Sequence, residues 1–501
     1  MFAGYQARLK TVKELAEELE ETCGAGPIMK MAEREGWSST GKLQMEQVMG
    51  FIKEQRKGGS SGKGTALRNG SDADLVVFLS CFKSFQDQRN TRREILEGIQ
   101  QVLKECVDSI AHQISDITIT FPPNSDIPPK SMSFTLKSKK KYPDSVDFDI
   151  LPTFDALKGT QNTTESHLKL IDLATRNGDL NGEFSACFTE LQRDFVKQYE
   201  PKLKDLIRLL KYWYKQYVKP RKSELRPGER LPAKYAVELL TIYAWEQGNG
   251  KERFSTAEGF RTVLDLICKY QHLCIYWTKY YDVNNRDIAD FLMRKLRDKR
   301  PIILDPADPT GNVATSQGWH VMAKEASRWL ESQCVSGVQA WEVQPMKEFE
   351  ITVSGLDGTS LNLNANITSK ISMIKDGIQR QWNVPAPQQR LTFNRTILAN
   401  NTSLLDSGIF FDAKLQLLML IPMEIFVTDT DGRTLTINVS PTDTVSSLKT
   451  KIESLKQISP SQYYLTFESK RLEDGRTLEY YGIKQHSKII INLRLRGGKE
   501  I

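Results

Sequence analysis

The sequence predicts an α+β chain of several domains: a mixed strand-and-helix lobe, then a helical lobe, then two copies of a small β-rich unit. Three observations carry that expectation. Short apolar runs alternate with amphipathic segments up to about residue 160, and from Ser166 to about Cys334 the apolar spacing turns mainly helical. Met346 to Leu420 and Met423 to Gly498 then repeat one pattern: an alternating strand, a turn holding Asp357-Gly358 or Asp431-Gly432, a second strand and a helix. A chain of 501 residues with 39% hydrophobic content is too long for one core and too apolar for disorder.

Taken in order, the N-terminal stretch reads as helical, with Val12, Leu15, Ala16 and Leu19 at helix spacing and an amphipathic run from Leu43 to Lys53. Phe51-Ile52-Lys53-Glu54-Gln55-Arg56 reads as the end of that helix. Ser71 to Leu79 and Asp147 to Pro152 read as strands, and Lys139-Lys140-Lys141 as a solvated hairpin turn. In Leu203 to Tyr214 the side chains Leu203, Leu206, Ile207, Leu210 and Tyr214 form an apolar helix face opposite Lys204, Arg208, Lys211 and Lys215. Expected domains are residues 1–160, 161–345, 346–421 and 422–498, with 499–501 as a tail.

Three aspartates stand out chemically. Asp72 and Asp74 sit two apart in one expected strand and project to the same face, with Leu75, Val77 and Leu79 on the other, and Asp149 lies in the second strand. Adjacent carboxylates repel, and a hard divalent cation such as Mg²⁺ relieves that repulsion while also binding substrate phosphates. The third carboxylate would complete a two-metal clamp or take a proton from an attacking hydroxyl. Just upstream, Lys57-Gly58-Gly59-Ser60-Ser61-Gly62-Lys63-Gly64-Thr65 offers backbone N–H groups and hydroxyls to phosphates. It is not a Walker loop, because Lys63 is followed by Gly64 rather than Ser or Thr. A Gly-Ser turn, then Asp-x-Asp, then a third Asp is the nucleotidyltransferase pattern.

With Asp149-Ile150-Leu151-Pro152, Phe188-Thr189-Glu190-Leu191-Gln192-Arg193-Asp194-Phe195, Tyr243-Ala244-Trp245-Glu246 and Pro301 to Pro309, these residues resemble the 2'-5'-oligoadenylate synthases, on the oligoadenylate synthase-like branch. The resemblance covers nearly the whole chain. It implies a polymerase-beta-like nucleotidyltransferase lobe and polymerisation of ATP into 2'-5'-linked oligoadenylates on sensing double-stranded RNA. It also implies roles. Asp72, Asp74 and Asp149 would hold Mg²⁺ and drive catalysis, while Ser60 and Lys211 orient the donor triphosphate. Arg208 would contact nucleotide and Tyr235 pack on adenine, with Lys234 standing where the family commonly has glutamine. Lys57, Lys63, Arg193, Lys197 and Lys202 match the family's RNA contacts. The family has an apolar strand leading into Lys-Gly-Gly, from which the helix-like residues before Lys57 depart, as Tyr199-Glu200-Pro201 departs from a more basic segment.

Charge supports an RNA face independently: between Arg193 and Arg230 basic residues outnumber acidic ones by about two to one, while the whole chain carries only +7. Read from periodicity alone, the side of the helix bearing Lys204, Arg208, Lys211 and Lys215 could equally be a solvated basic face.

The second repeat resembles ubiquitin, from Met423-Glu424-Ile425-Phe426-Val427 to Leu493-Arg494-Leu495-Arg496-Gly497-Gly498, and the first is a divergent copy keeping Gln388 to Phe393. Both are expected to be β-grasp folds. The positions of ubiquitin's apolar contact patch are Thr430, Thr466 and Asn492, so its usual receptors should bind poorly. Lys499-Glu500-Ile501 follows Gly497-Gly498 and would block conjugation.

Seven cysteines without a Cys-x-x-Cys pair and five scattered histidines point to reduced thiols and no zinc site. The apolar runs are too short to span a bilayer and the start lacks a signal-peptide core, so a cytosolic or nuclear protein is expected. The function expected is an RNA-activated synthase of innate antiviral defence. The alternative is a non-catalytic antiviral adaptor binding RNA or a protein partner through its ubiquitin-like domains.

Overall fold

The computed structural model describes residues 52–57, 59–67, 73–110, 114–120, 129–138, 145–158, 163–178, 180–248, 250–355 and 358–493. The expected N-terminal helices before residue 52, Asp72, Lys139-Lys140-Lys141 and Gly497 to Ile501 lie outside them. The chain divides into two compact units, Met1–Lys347 and Glu348–Ile501.

In the first unit a five-stranded sheet runs in the order β1-β2-β5-β4-β3, built from β1 (Ile52–Lys57), β2 (Ala73–Leu79), β3 (Ile114–Thr120), β4 (Met132–Ser138) and β5 (Ser145–Thr153). Residues before Lys57 therefore form a strand, not the end of a helix. Glu54, Gln55, Arg56 and Lys57 lie antiparallel against Phe78, Val77, Val76 and Leu75, with a bulge near Ile52. Lys53-Glu54-Gln55-Arg56 has good helix propensity, but pairing along the exposed edge of β2 outweighs it, as tertiary context routinely does.

β2 is parallel to β5, and Val76, Val77, Phe78 and Leu79 are all buried. The expected in/out alternation therefore stops after Leu75, because both faces of this inner strand are covered. One face is packed by the long helix α2 (Phe85–Ile110), which contacts β3 and β5. A short helix, α1 (Gly59–Lys63), follows β1 directly and packs on β1, β2 and a helix of the next lobe.

The helical lobe comprises α3 (Thr164–Asn177), α4 (Thr189–Lys197), α5 (Pro201–Trp213), α6 (Lys234–Gly248), α7 (Thr256–Cys268), α8 (Arg286–Lys295) and α9 (Trp319–Leu330). Pro201 opens α5, where its missing N–H costs nothing, and the apolar face read from sequence packs inward, with Leu203, Leu206, Ile207 and Leu210 fully buried. A π turn, Tyr214–Val218, continues the helix. α6 is apolar on every side, with Ala236 to Ala244 all buried, so it forms the centre of the lobe. α7 crosses α5 at Gly259, where an added Cβ would stand 2.7 Å from Leu206 and 2.8 Å from Trp341.

In the second unit the two repeats have the same architecture. The first is β8 (Glu348–Ser354), β9 (Ser360–Asn366), α10 (Ile371–Trp382), β10 (Gln389–Phe393), β11 (Thr396–Ile397) and β12 (Ala413–Met419), with sheet order β11-β10-β12-β8-β9. The second is β13 (Met423–Thr428), β14 (Thr434–Val439), α11 (Val445–Lys456), β15 (Tyr463–Phe467), β16 (Lys470–Arg471) and β17 (Lys488–Leu493), with order β14-β13-β17-β15-β16. In each, the first and last strands pair in parallel and a single helix closes one face, with Val445, Leu448 and Ile452 of α11 fully buried. The helices end alike, at Asn383 and Gln457 in the left-handed region.

Candidate functional site

The aspartates of the two apolar strands meet. Asp74 on β2 stands directly opposite Asp149 on β5 in parallel register, so both side chains leave the same sheet face one strand spacing apart, about 4.8 Å. Both are half-buried. From the other side β4 places Ser133 opposite Asp149, and the Ser133 hydroxyl donates to the Asp149 carboxylate, fixing its direction. Two carboxylates at this spacing fit a shared divalent cation, which removes their repulsion. Among the described residues no group of three His, Cys, Asp or Glu side chains gathers as a metal site. Asp72, two residues before Asp74, is outside them.

The glycine-rich segment forms α1 and a turn in which Gly64 takes φ +75°, a conformation that favours glycine. Ser60 is half-buried at the start of this segment. Its end is fastened to the helical lobe by three side chains. Arg208 of α5 donates to the Gly64 carbonyl at 2.6 Å and pairs with Asp205. Lys211, one turn on, donates to the Thr65 carbonyl at 2.9 Å. Thr65 donates its hydroxyl to Glu238 of α6 at 2.9 Å.

Glu238 is the electrostatic centre of this region. It is 3% exposed, and its carboxylate receives Lys211 Nζ at 2.7 Å and Lys63 Nζ at 3.5 Å. Burial pushes its pKa up, but the two ammonium groups and the Thr65 hydroxyl outweigh that and hold it below the usual carboxylate range. Lys63 also lies over the ring of Tyr235, 3.4 Å from its centroid. Lys234 and Tyr235 open α6, both half-buried. The Tyr235 hydroxyl is buried, and the Asp305 carboxylate acts on it.

Lys63, expected at the RNA surface, is 7% exposed and belongs instead to this buried cluster. The reason is Glu238: an ionised carboxylate buried in an apolar helix is costly unless cations and donors surround it, and Lys63 is one of them. The other expected RNA contacts behave differently. Lys197 and Lys202 are exposed at the end of α4 and the start of α5, and half-buried Arg193 on α4 pairs with Asp194 at 3.0 Å. Lys57 closes β1 next to α1. Tyr199, in the segment that departs from the family's basic pattern, is half-buried and donates to Glu246, which also accepts Trp277 Nε1 at 2.7 Å. It is a packing anchor between the helix carrying Lys197 and the helix carrying Lys202.

Sequence reading missed Glu238, Thr65 and Asp305. Glu238 had a signal: a lone carboxylate inside Tyr235-Ala236-Val237-Glu238-Leu239-Leu240, where every neighbour is apolar or aromatic. Asp305 and Asp308 are both fully buried in the loop after β7 (Ile302–Ile303), which pairs in parallel with β6 (Cys274–Ile275), among hydrogen bonds from Gln192, Thr310 and Ser185.

Comparison with known proteins gives a consistent result. The nucleotidyltransferase domain model matches residues 44–142, the model described as 2'-5'-oligoadenylate synthetase 1, domain 2, C-terminus matches 160–348, and the ubiquitin family model matches 351–420 and 425–496. The 2'-5'-oligoadenylate synthase-like protein 2 of Mus musculus is 36% identical over 91% of this chain and 94% of its own length. The 2'-5'-oligoadenylate synthase-like protein 1 of Rattus norvegicus is 35% identical over 98% of this chain and 94% of its own. The 2'-5'-oligoadenylate synthase 1A of Mus musculus is 48% identical over 57% of this chain and 78% of its own.

Proposed function

The chain belongs to the 2'-5'-oligoadenylate synthase family, with a nucleotidyltransferase domain and two ubiquitin-like domains, and from that premise we propose that it makes 2'-5'-linked oligoadenylates from ATP when double-stranded RNA binds. Its place would be innate antiviral defence in the cytosol or nucleus. The observation that carries the reading is the in-register pair Asp74 and Asp149, facing the same way beside a glycine-rich turn fastened by Lys211 and Arg208.

Asp74 and Asp149, with Asp72, would hold Mg²⁺, which when bound supplies charge neutralisation at the reacting phosphate and a lowered pKa for the attacking hydroxyl. Asp149, its direction set by Ser133, would accept the proton of the 2'-hydroxyl of one ATP as that oxygen attacks the α-phosphate of another. The bond formed is 2'-O to phosphorus; the bond broken releases pyrophosphate. Ser60 and Lys211 would hold the departing phosphates, Arg208 would contact nucleotide, and Tyr235, with Lys234 beside it, would pack on adenine. Taking Lys211 for a triphosphate means parting it from Glu238, so donor binding and the Glu238 cluster compete for one cation. RNA would lie along the exposed lysines Lys197 and Lys202 with Arg193 and Lys57, through phosphates and 2'-hydroxyls.

Incubation with ATP, Mg²⁺ and poly(I:C), followed by separation of 2'-5' oligomers, tests the reading. The wild type is expected to make product and Asp74→Ala none. A wild type that makes none, while still binding RNA, means a non-catalytic adaptor.

A further inference from the structure

The carboxylate of Asp305 is divided between two parts of the fold. Oδ1 accepts the backbone N–H groups of Ala307 and Asp308, at 2.9 and 3.4 Å, within its own loop. Oδ2 accepts Gln192 Nε2 at 2.6 Å, and Gln192 belongs to α4. Gln192 is buried, while the next residue, Arg193, and Lys197 stand on the outer side of the same helix. The nucleotide end of the cluster also bears on it: the Asp305 charge acts on the buried Tyr235 hydroxyl, and Lys63, over the Tyr235 ring, favours ionised Asp305.

The other polar neighbours are held on their own partners or act from further away. Tyr281 donates its hydroxyl to the Asp305 backbone carbonyl, and Asp308 is held separately by Thr310 and Ser185. Glu238 lies beyond Tyr235, and Lys130 acts on Asp308 from the strand lobe. Burial and the nearby Asp308 push the Asp305 carboxyl up to about 7.

We propose that the hydrogen bond between Gln192 and Asp305 is the positioning link through which RNA lying along α4 sets the nucleotide wall formed by Tyr235 and Lys63. The proposal rests on the function proposed above. Gln192 and Arg193 are successive residues of one rigid helix, so any shift of α4 that bound phosphates impose on Arg193 and Lys197 carries Gln192 with it. Asp305 is tied on its other oxygen to its own loop and acts on the Tyr235 hydroxyl, whose ring packs under Lys63. α1, which carries Lys63, also packs directly on α4, so both sides of the wall sense the same helix.

The test uses the full chain with Gln192→Leu and Gln192→Glu. Leucine removes the donor without touching Arg193 or Lys197. RNA affinity is expected within about twofold of wild type, while RNA-stimulated turnover and RNA-dependent tightening of a fluorescent ATP analogue each fall about tenfold. Unchanged stimulation with only a lower melting temperature means a structural role and overturns the link. Glutamate can restore the hydrogen bond only when the two carboxyls share a proton, so stimulation is expected at about pH 6 and lost at about pH 8, with wild type active at both. A flat profile for Gln192→Glu overturns the link as well, and this variant decides the matter if the leucine protein fails to fold. A wild type that makes no oligomers with RNA overturns the proposed function instead. The link is then decided by whether RNA tightens analogue binding in wild type and not in Gln192→Leu.

Discussion

Lys211 Nζ donates to Glu238 Oε1 at 2.7 Å, both side chains are 3% exposed, and one pair thereby joins α5 to α6 behind the glycine-rich turn. The pair is not isolated: Lys63 and Thr65 reach the same carboxylate. Removing the carboxylate leaves two ammonium groups facing one another without an anion, which is the expensive way to break a buried ion pair. Glu238→Ala is therefore expected to cost about 3–5 kcal/mol of unfolding free energy. Glu238→Gln, which keeps the Thr65 hydrogen bond, should cost less. The sign of the pH dependence follows from the depressed pKa: this stability is present above the ordinary carboxylate pKa and is lost as the pH falls through the lower folded value. Urea unfolding of the wild type and both variants across the acid range measures it.

Burial of Lys63 separates two kinds of lysine that look alike in sequence. Replacing exposed Lys197 with Ala is expected to weaken RNA binding and to flatten the dependence of log K on log salt by roughly one unit for each phosphate the side chain neutralises. Replacing Lys63 with Ala is expected to lower the melting temperature and turnover while leaving that salt slope unchanged, because its ammonium neutralises Glu238 rather than a phosphate. Salt titrations of RNA binding for the two variants decide between these outcomes. An equal flattening of both slopes would return Lys63 to the RNA surface.

Much of this could be read from residues alone, and the exceptions share one cause. Strand alternation and the third aspartate point to the in-register carboxylates because β pairing aligns what short apolar strands already carry. The apolar face of α5 follows from its period, and the two repeats from their turns. Residues 53–56 read as helix because local propensity speaks for one, while the free edge of β2 is supplied by distant sequence. Lys63 reads as an RNA contact for the same reason: its partner Glu238 lies 175 residues away. Charge buried by long-range contacts leaves no local trace beyond an odd carboxylate in an apolar helix.

In the last repeat, two of the positions corresponding to ubiquitin's apolar patch satisfy one another: Asn492 Nδ2 donates to Thr466 Oγ1 at 2.9 Å. A receptor that buries this face would have to desolvate an amide and a hydroxyl already paired. The triple change Thr430→Leu, Thr466→Ile and Asn492→Val is expected to create binding to a ubiquitin-recognising helix, with at least about a tenfold gain over the unchanged protein. Titration by NMR or calorimetry measures it. Equal, tight binding by the unchanged protein would refute the polar-patch argument.

His167 of α3 offers a titration that can be isolated by difference. Its Nε2 bonds the Ala307 carbonyl at 2.9 Å, its buried Nδ1 has no partner among the described residues, and burial pushes its pKa down from 6.5 to about 4. The folded protein thus refuses a proton that the unfolded chain accepts. His167 stability is full above about 6.5 and is lost as the pH falls toward about 4, a total of about 3 kcal/mol. Asp305 acts in the opposite direction: with its carboxyl raised to about 7, the fold keeps a proton that the unfolded chain releases, so its contribution improves as the pH falls through the same range. The wild-type profile is a sum of opposed slopes and shows neither cleanly. Subtracting the urea-unfolding free energies of His167→Gln leaves the histidine alone. The wild-type advantage is expected to shrink by about 2 kcal/mol between neutral pH and about pH 5, and a constant advantage would mean that the imidazole takes up its proton as readily in the fold as in the unfolded chain.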